Sequence, residues 1–127
     1  MRLVLAWGLL AIVLLAPQAQ RRARAHHEGP PPVAVIGGTL LVYVGETVYL
    51  SGTESHDPGG NSLSYRWTLV SSPPKSLAII SDSSDAHASF RADVEGTYQV
   101  ELVVNNGFVD SGAAFANVVA IPHPYMW

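Results

Sequence analysis

The chain has 127 residues, a formal net charge of −3 and no cysteine, which excludes disulfides, thiol catalysis, thiolate metal sites and a lipidated cysteine. Arg2, Arg21, Arg22 and Arg24 crowd the first 25 positions without an acid, whereas from His26 onward Arg66, Lys75 and Arg91 face ten acidic residues, a net of −7. An acidic domain without a basic stripe excludes nucleic acid as the expected partner.

Residues 1–25 read as a signal peptide. The apolar run Leu3–Ala16 ends at Pro17; about 14 residues suit a signal-peptide core and fall short of a membrane span. Two cleavage points compete, after Ala23-Arg24-Ala25 or after Pro17-Gln18-Ala19. The basic cluster Arg21–Arg24 keeps an uncleaved anchor open as the alternative. With cleavage, no transmembrane domain remains in the mature form. Residues 26–32 form a proline-rich linker. Pro30, Pro31 and Pro32 lack amide donors and favour an extended polyproline path.

A domain is expected over 33–121, about 90 residues and enough for one sandwich core. Val33–Ile36 and Thr39–Val44 read as a first strand broken at Gly37-Gly38. Glu46–Gly52 alternates, with Val48 and Leu50 on one face and Thr47, Tyr49 and Ser51 on the other. Leu63, Tyr65, Trp67 and Leu69 share a face of the next strand. Leu77–Ile80, after Pro73-Pro74, reads as a short strand near a sheet edge. Ala88–Phe90 is another short strand. In Thr97–Val104 the residues Tyr98, Val100, Leu102 and Val104 face one way. Asn105-Asn106-Gly107 predicts a tight hairpin turn, and Phe108–Ala120 the returning strand. About seven strands at turn spacings of roughly 8–12 residues predict an all-β, antiparallel, immunoglobulin-like sandwich. Residues 122–127 add an aromatic tail, Pro122-His123-Pro124-Tyr125-Met126-Trp127.

Five pieces, in order, resemble the polycystic kidney disease (PKD) domain family. They are Val48-x-Leu50-x-Gly52, the turn Ser55-His56-Asp57-Pro58-Gly59-Gly60-Asn61, Leu63-x-Tyr65-x-Trp67, Phe90, and Gly96-Thr97-Tyr98-x-Val100-x-Leu102-x-Val104. The resemblance implies an immunoglobulin-like fold with Trp67 in its core. Two features depart from the commoner pattern. Trp67 is followed by Thr68-Leu69-Val70 and a proline-bearing loop, not by Asp-Phe-Gly-Asp-Gly, which resembles the branch with a Trp-Thr-Leu third strand. The turn carries Gly59 and Asn61 where relatives often have acids. The expected core is Val48, Leu50, Leu63, Tyr65, Trp67, Phe90, Tyr98, Val100, Leu102 and Val104. Tyr98 stands two residues before Val100, where disulfide-bonded sandwiches place a cysteine, so apolar packing replaces the covalent link.

Asp57 and Asn61, with Glu54 and Asp110 near, are the candidate oxygen ligands for calcium. Calcium takes six to eight oxygens, more than one loop supplies, and the same residues serve equally as turn chemistry. His26 and His27 offer nitrogen ligands for copper or nickel if cleavage exposes His26. His56, His87 and His123 show no ligand spacing. No serine stands in a nucleophile elbow, and Gly37-Gly38 and Gly59-Gly60 read as turns and not as a phosphate loop. Tyr49 and Arg66 are expected on outward faces, where exposed aromatics and arginines serve binding.

These readings predict a secreted, periplasmic or cell-surface module that is not an enzyme and needs no cofactor. Its expected partners are protein or carbohydrate at the cell surface, recognised through loops or strand edges. The alternative is a structural subunit or spacer of a surface assembly. Sequence outside the matched pieces, above all Ser71–Ala86, is where a binding function is expected to lie.

Overall fold

Alternation of apolar and polar residues becomes two facing sheets in the computed structural model, which describes residues 29–124. The expected signal peptide, His26, His27 and Tyr125–Trp127 lie outside the described residues. Seven strands follow one another: β1 Gly37–Gly38, β2 Leu41–Tyr43, β3 Thr47–Ser51, β4 Ser64–Ser71, β5 His87–Arg91, β6 Gly96–Asn105 and β7 Ala114–Ile121. One sheet has the order β1-β3-β5, the other β2-β7-β6-β4. The described residues contain no helix.

The first strand is split between the sheets. β1 pairs antiparallel with β3, and β2 pairs with β7. Gly38 makes the crossing feasible. Its φ is +113°, and a Cβ there would lie 2.2 Å from the Tyr49 carbonyl oxygen, so only glycine fits. Having crossed, the chain runs parallel to β7. The sandwich is therefore not wholly antiparallel, because β2 continues the direction of β1 in the opposite sheet.

The core lies between the sheets. Val48, Leu50, Trp67, Phe90, Tyr98, Val100, Leu102 and Val104 are buried, joined by Val42, Val118 and three alanines. Leu63 and Tyr65 are half-buried and pack against this cluster. β4 is an edge strand, so Tyr65 is covered on one side only. It leans on Gly52, where a Cβ would meet its ring at 3.1 Å. The Phe90 and Tyr98 rings lie 5.2 Å apart, tilted by 43°. Each such burial is worth about 1.5–3 kcal/mol relative to exposure.

Two expected elements differ. Leu77–Ile80 is extended but is not a strand; only Ser81 reaches β5, through a bridge to Ser89. β7 begins at Ala114 and not at Phe108. The Asn106 carbonyl side-chain oxygen accepts the amides of Phe108 and Val109 at 2.9 and 3.0 Å. It holds a wide loop before the strand.

Candidate interaction surface

The segment from β4 to β5 is fixed at both ends and open in the middle. Pro73 rests on Gly96, where a Cβ would approach its ring to 2.7 Å. Lys75 then takes φ 73° and Asp82 takes φ 58°, the only non-glycine residues at positive φ among those described. Such conformations are costly for most side chains, so their bracketing of Ser76–Ser81 marks a defined local shape.

Asp93 anchors the near end. It accepts the Ser76 hydroxyl at 2.6 Å and the Leu77 amide at 2.7 Å. These bonds, the Ser76 one foremost, hold its carboxyl below the usual value. They also draw Ser76 and Leu77 toward the end of β5, so the ladder stops at Ser81. Trp67 anchors the far end. Its amide donates to the Ser83 carbonyl at 2.9 Å, and its indole Nε1 to the Asp85 carbonyl at 2.9 Å.

Between the anchors the side chains alternate. Ala78 and Ile80 turn inward against the core. Leu77 and Ile79 turn outward and are 86% and 77% exposed. The amides of Ile79 and Ile80, and the carbonyls from Leu77 to Ile80, have no hydrogen-bond partner among the described residues. A cleft of about 480 Å³ lies beside the segment, bordered by Thr47, Leu77, Ile79, Ser89, Arg91 and Asp93. An extended apolar edge with free backbone groups can accept another strand.

Tyr49 stands on the outer face of β3, 65% exposed, opposite Ser89 of β5. His87 and Arg91 share that face by register, and the Arg91 Nε donates to the Gly45 carbonyl at 3.1 Å. Arg66 lies on the other sheet, 3.6 Å from Asp110, with both side chains largely exposed; such pairs contribute little to stability.

The candidate calcium loop is built as a turn. Asp57 Oδ2 accepts the Asn61 backbone amide at 2.9 Å and its side-chain amide at 2.8 Å. Oδ1 accepts the Asn106 side-chain amide at 3.1 Å. These donors, the Asn61 backbone first, depress the Asp57 carboxyl. Asp110 is depressed likewise, first by Asn105 and then by the Arg66 charge. Both carboxylates thus face N–H donors, the arrangement of turn chemistry. His56, His87 and His123 are not brought together; His123 stacks on Tyr43 with centroids 4.8 Å apart. Among the described residues, no three or more His, Cys, Asp or Glu side chains are grouped to hold a metal.

Sequence reasoning missed Asp93. Its partner Ser76 lies 17 residues away, and no local pattern joins the two. Among the described residues no helix is long and apolar enough to cross a membrane.

Comparison with known proteins agrees with this architecture. No curated protein matches the chain. Several solved structures do, among them the following three. A nucleoside hydrolase-related hypothetical protein from Saccharophagus degradans, associated with carbohydrate metabolism, is 28% identical with a TM-score of 0.58; the match covers 72% of this chain and 25% of that one. This chain therefore spans about a quarter of that protein's length. The PKD domain from KIAA 1837 protein is 19% identical with a TM-score of 0.61, covering 79% of this chain and 96% of that domain. The PKD domain from human KIAA0319 is 18% identical with a TM-score of 0.60, covering 76% and 86%. The family model described as K319L-like, PKD domain, matches residues 39–119. With the match running from just before β2 into β7, the chain belongs to the K319L-like PKD domain family.

Proposed function

We propose that this chain is a non-enzymatic recognition module, secreted or held at the cell envelope, that binds a protein partner through the outward edge of residues 73–82. The observation that carries this reading is the exposure of Leu77 and Ile79, 86% and 77%, on a segment fixed at Asp93 and Trp67. A rigid apolar pair loses little conformational freedom on docking, and anchors of that kind dominate interface energetics. Family membership supports a module and not a catalyst. So does the state of the carboxylates. Asp57, Asp93 and Asp110 are all depressed by hydrogen bonds within turns and loops, the opposite of what a general acid needs.

Tyr49 favours a second reading, a carbohydrate ligand. Its ring lies exposed on a face shared with Ser89, His87 and Arg91, an apolar platform rimmed by hydrogen-bonding groups. The Saccharophagus degradans protein, itself associated with carbohydrate metabolism, adds some support.

The test is capture by the immobilised full chain from solubilised native cell envelope, run beside Ile79→Asp and Tyr49→Ala. The captured protein is identified, purified and titrated against all three. Loss of affinity with Ile79→Asp alone supports the protein edge. Loss with Tyr49→Ala alone, accompanied by binding of purified envelope polysaccharide, supports the sugar face. A captured partner indifferent to both changes overturns the reading.

A further inference from the structure

The open edge of Ser76–Ser81 carries its own complement. No charged residue lies within it, and opposite charges close its two ends, Lys75 before and Asp82 after. Lys75 is the only lysine in the sequence. Neither Lys75 nor Asp82 has an ionic partner among the described residues.

The backbone divides by alternation, as in any extended segment. Leu77 and Ser81 turn their amides toward β5, where Asp93 and Ser89 accept them. By alternation with Ser81, Ile80 turns its amide to the open side. The Ala78 amide is taken by the Ser76 hydroxyl at 3.1 Å. The Ala78 carbonyl and both backbone groups of Ile80 remain free.

We propose that a second copy of this chain docks antiparallel on this edge, about a two-fold axis at Ile79. The proposal rests on the reading of residues 73–82 as the recognition surface and names its partner. In that register each Ile80 amide meets the other copy's Ala78 carbonyl, so this bond forms twice, while each Ile80 carbonyl faces the Ala78 amide that Ser76 shares. Ile79 faces Ile79 across the axis, flanked diagonally by the two Leu77 side chains. A two-fold interface must be self-complementary, and the charges satisfy this in one direction only. Antiparallel docking sets Lys75 of each copy opposite Ser83 of the other, one residue from its Asp82 and within reach of a lysine side chain. Parallel docking would set lysine against lysine and aspartate against aspartate. The rest of the domain is strongly acidic and repels a second copy, which leaves this uncharged edge with its paired ends as the favourable approach. The contact is far below the size of a standard interface, so pairing is expected at concentrations on the order of 100 µM.

The experiment uses the full chain. Carbodiimide joins an amine to a carboxylate that touches it, and a mixture of 14N and 15N chains shows whether a cross-link joins two molecules. The expected product is a mixed-isotope peptide pair linking Lys75 to Asp82. In sedimentation, Lys75→Asp and Asp82→Lys each replace two attractions by two repulsions and weaken pairing about tenfold. The double swap Lys75→Asp with Asp82→Lys restores it, and Ile79→Asp abolishes it with an unchanged melting temperature. A chain that stays monomeric at about 1 mM, a self-association indifferent to the swaps, or a double swap that fails to restore pairing overturns the proposal. If such a chain still captures another protein through Ile79, the recognition reading survives while self-pairing does not. If Ile79 matters to neither, both fall.

Discussion

The Ser76 hydroxyl donates to Asp93 at 2.6 Å, and the same carboxylate oxygen lies 3.1 Å from the buried Tyr98 hydroxyl. One acid thus links the exposed segment to the deepest part of the sandwich. Asp93→Ala is expected to free the Leu77 amide, which then exchanges with solvent much faster in hydrogen-exchange NMR, while the β6 amides keep their protection. Equal loss of protection in both places would show that Asp93 serves the whole fold and not the segment.

Acid should loosen the molecule in a particular order. Asp57, Asp93 and Asp110 all have depressed carboxyls in the folded state. The unfolded chain therefore binds their protons first, and the stability they contribute is present above the ordinary aspartate value. It is lost as pH falls from about 4 through the depressed values. Melting temperatures recorded between pH 7 and pH 2 should be flat at first and then fall. Asp93→Asn should flatten part of the fall.

Tyr98 closes a corner. Its hydroxyl accepts the Val94 amide at 2.9 Å and lies 2.6 Å from the Val94 carbonyl. A hydroxyl has one hydrogen to give, so the shorter Val94 contact takes it and Asp93 is a secondary acceptor. Tyr98→Phe leaves the Val94 amide without a partner, at a cost of about 1–3 kcal/mol in urea unfolding. A change below about 0.5 kcal/mol would mean that water replaces the hydroxyl at no loss.

Trp67→Ala removes the largest side chain of the core and the indole bond to Asp85 together. The expected cost is about 3–5 kcal/mol, with no disulfide to limit unfolding. By contrast, Leu77→Asp and Ile79→Asp should move stability by no more than about 0.5 kcal/mol, because both side chains stand in solvent. Denaturation curves of the three variants side by side check the division between core and surface.

Calcium offers a clean negative. Asp57 already holds three N–H donors, so titration to millimolar calcium should leave the melting temperature where it was. A rise would require Asn61 and Asn106 to turn their side-chain oxygens toward the ion, visible as shifts of both side-chain amide signals.

The sandwich was legible because its strands bury one face, and period-two alternation writes that face into the sequence. Tyr98, Val100, Leu102 and Val104 stand out for this reason. The sheet change at Gly38 was not legible, since a kink and a crossing need the same glycine, and only the nearby Tyr49 carbonyl distinguishes them. The open edge at residues 76–81 was legible only as a place, the stretch between Trp67 and Phe90 that holds none of the recurring motif pieces. Its shape depends on Asp93, Ser83 and Asp85 meeting groups far away in sequence. The strand expected at Leu77–Ile80 does not form because the Asp93 carboxylate takes the Leu77 amide, which a strand would give to a neighbouring backbone carbonyl.

The parallel run of β2 beside β7 has a mechanical meaning. The chain enters β2 at one end of the pair and leaves β7 at the other. Tension applied through the two flanking segments therefore slides these strands along each other. Every hydrogen bond between them carries load at once, whereas a hairpin pulled open from its end breaks one bond after another. A domain so threaded resists stretching better than its thermal stability alone would indicate.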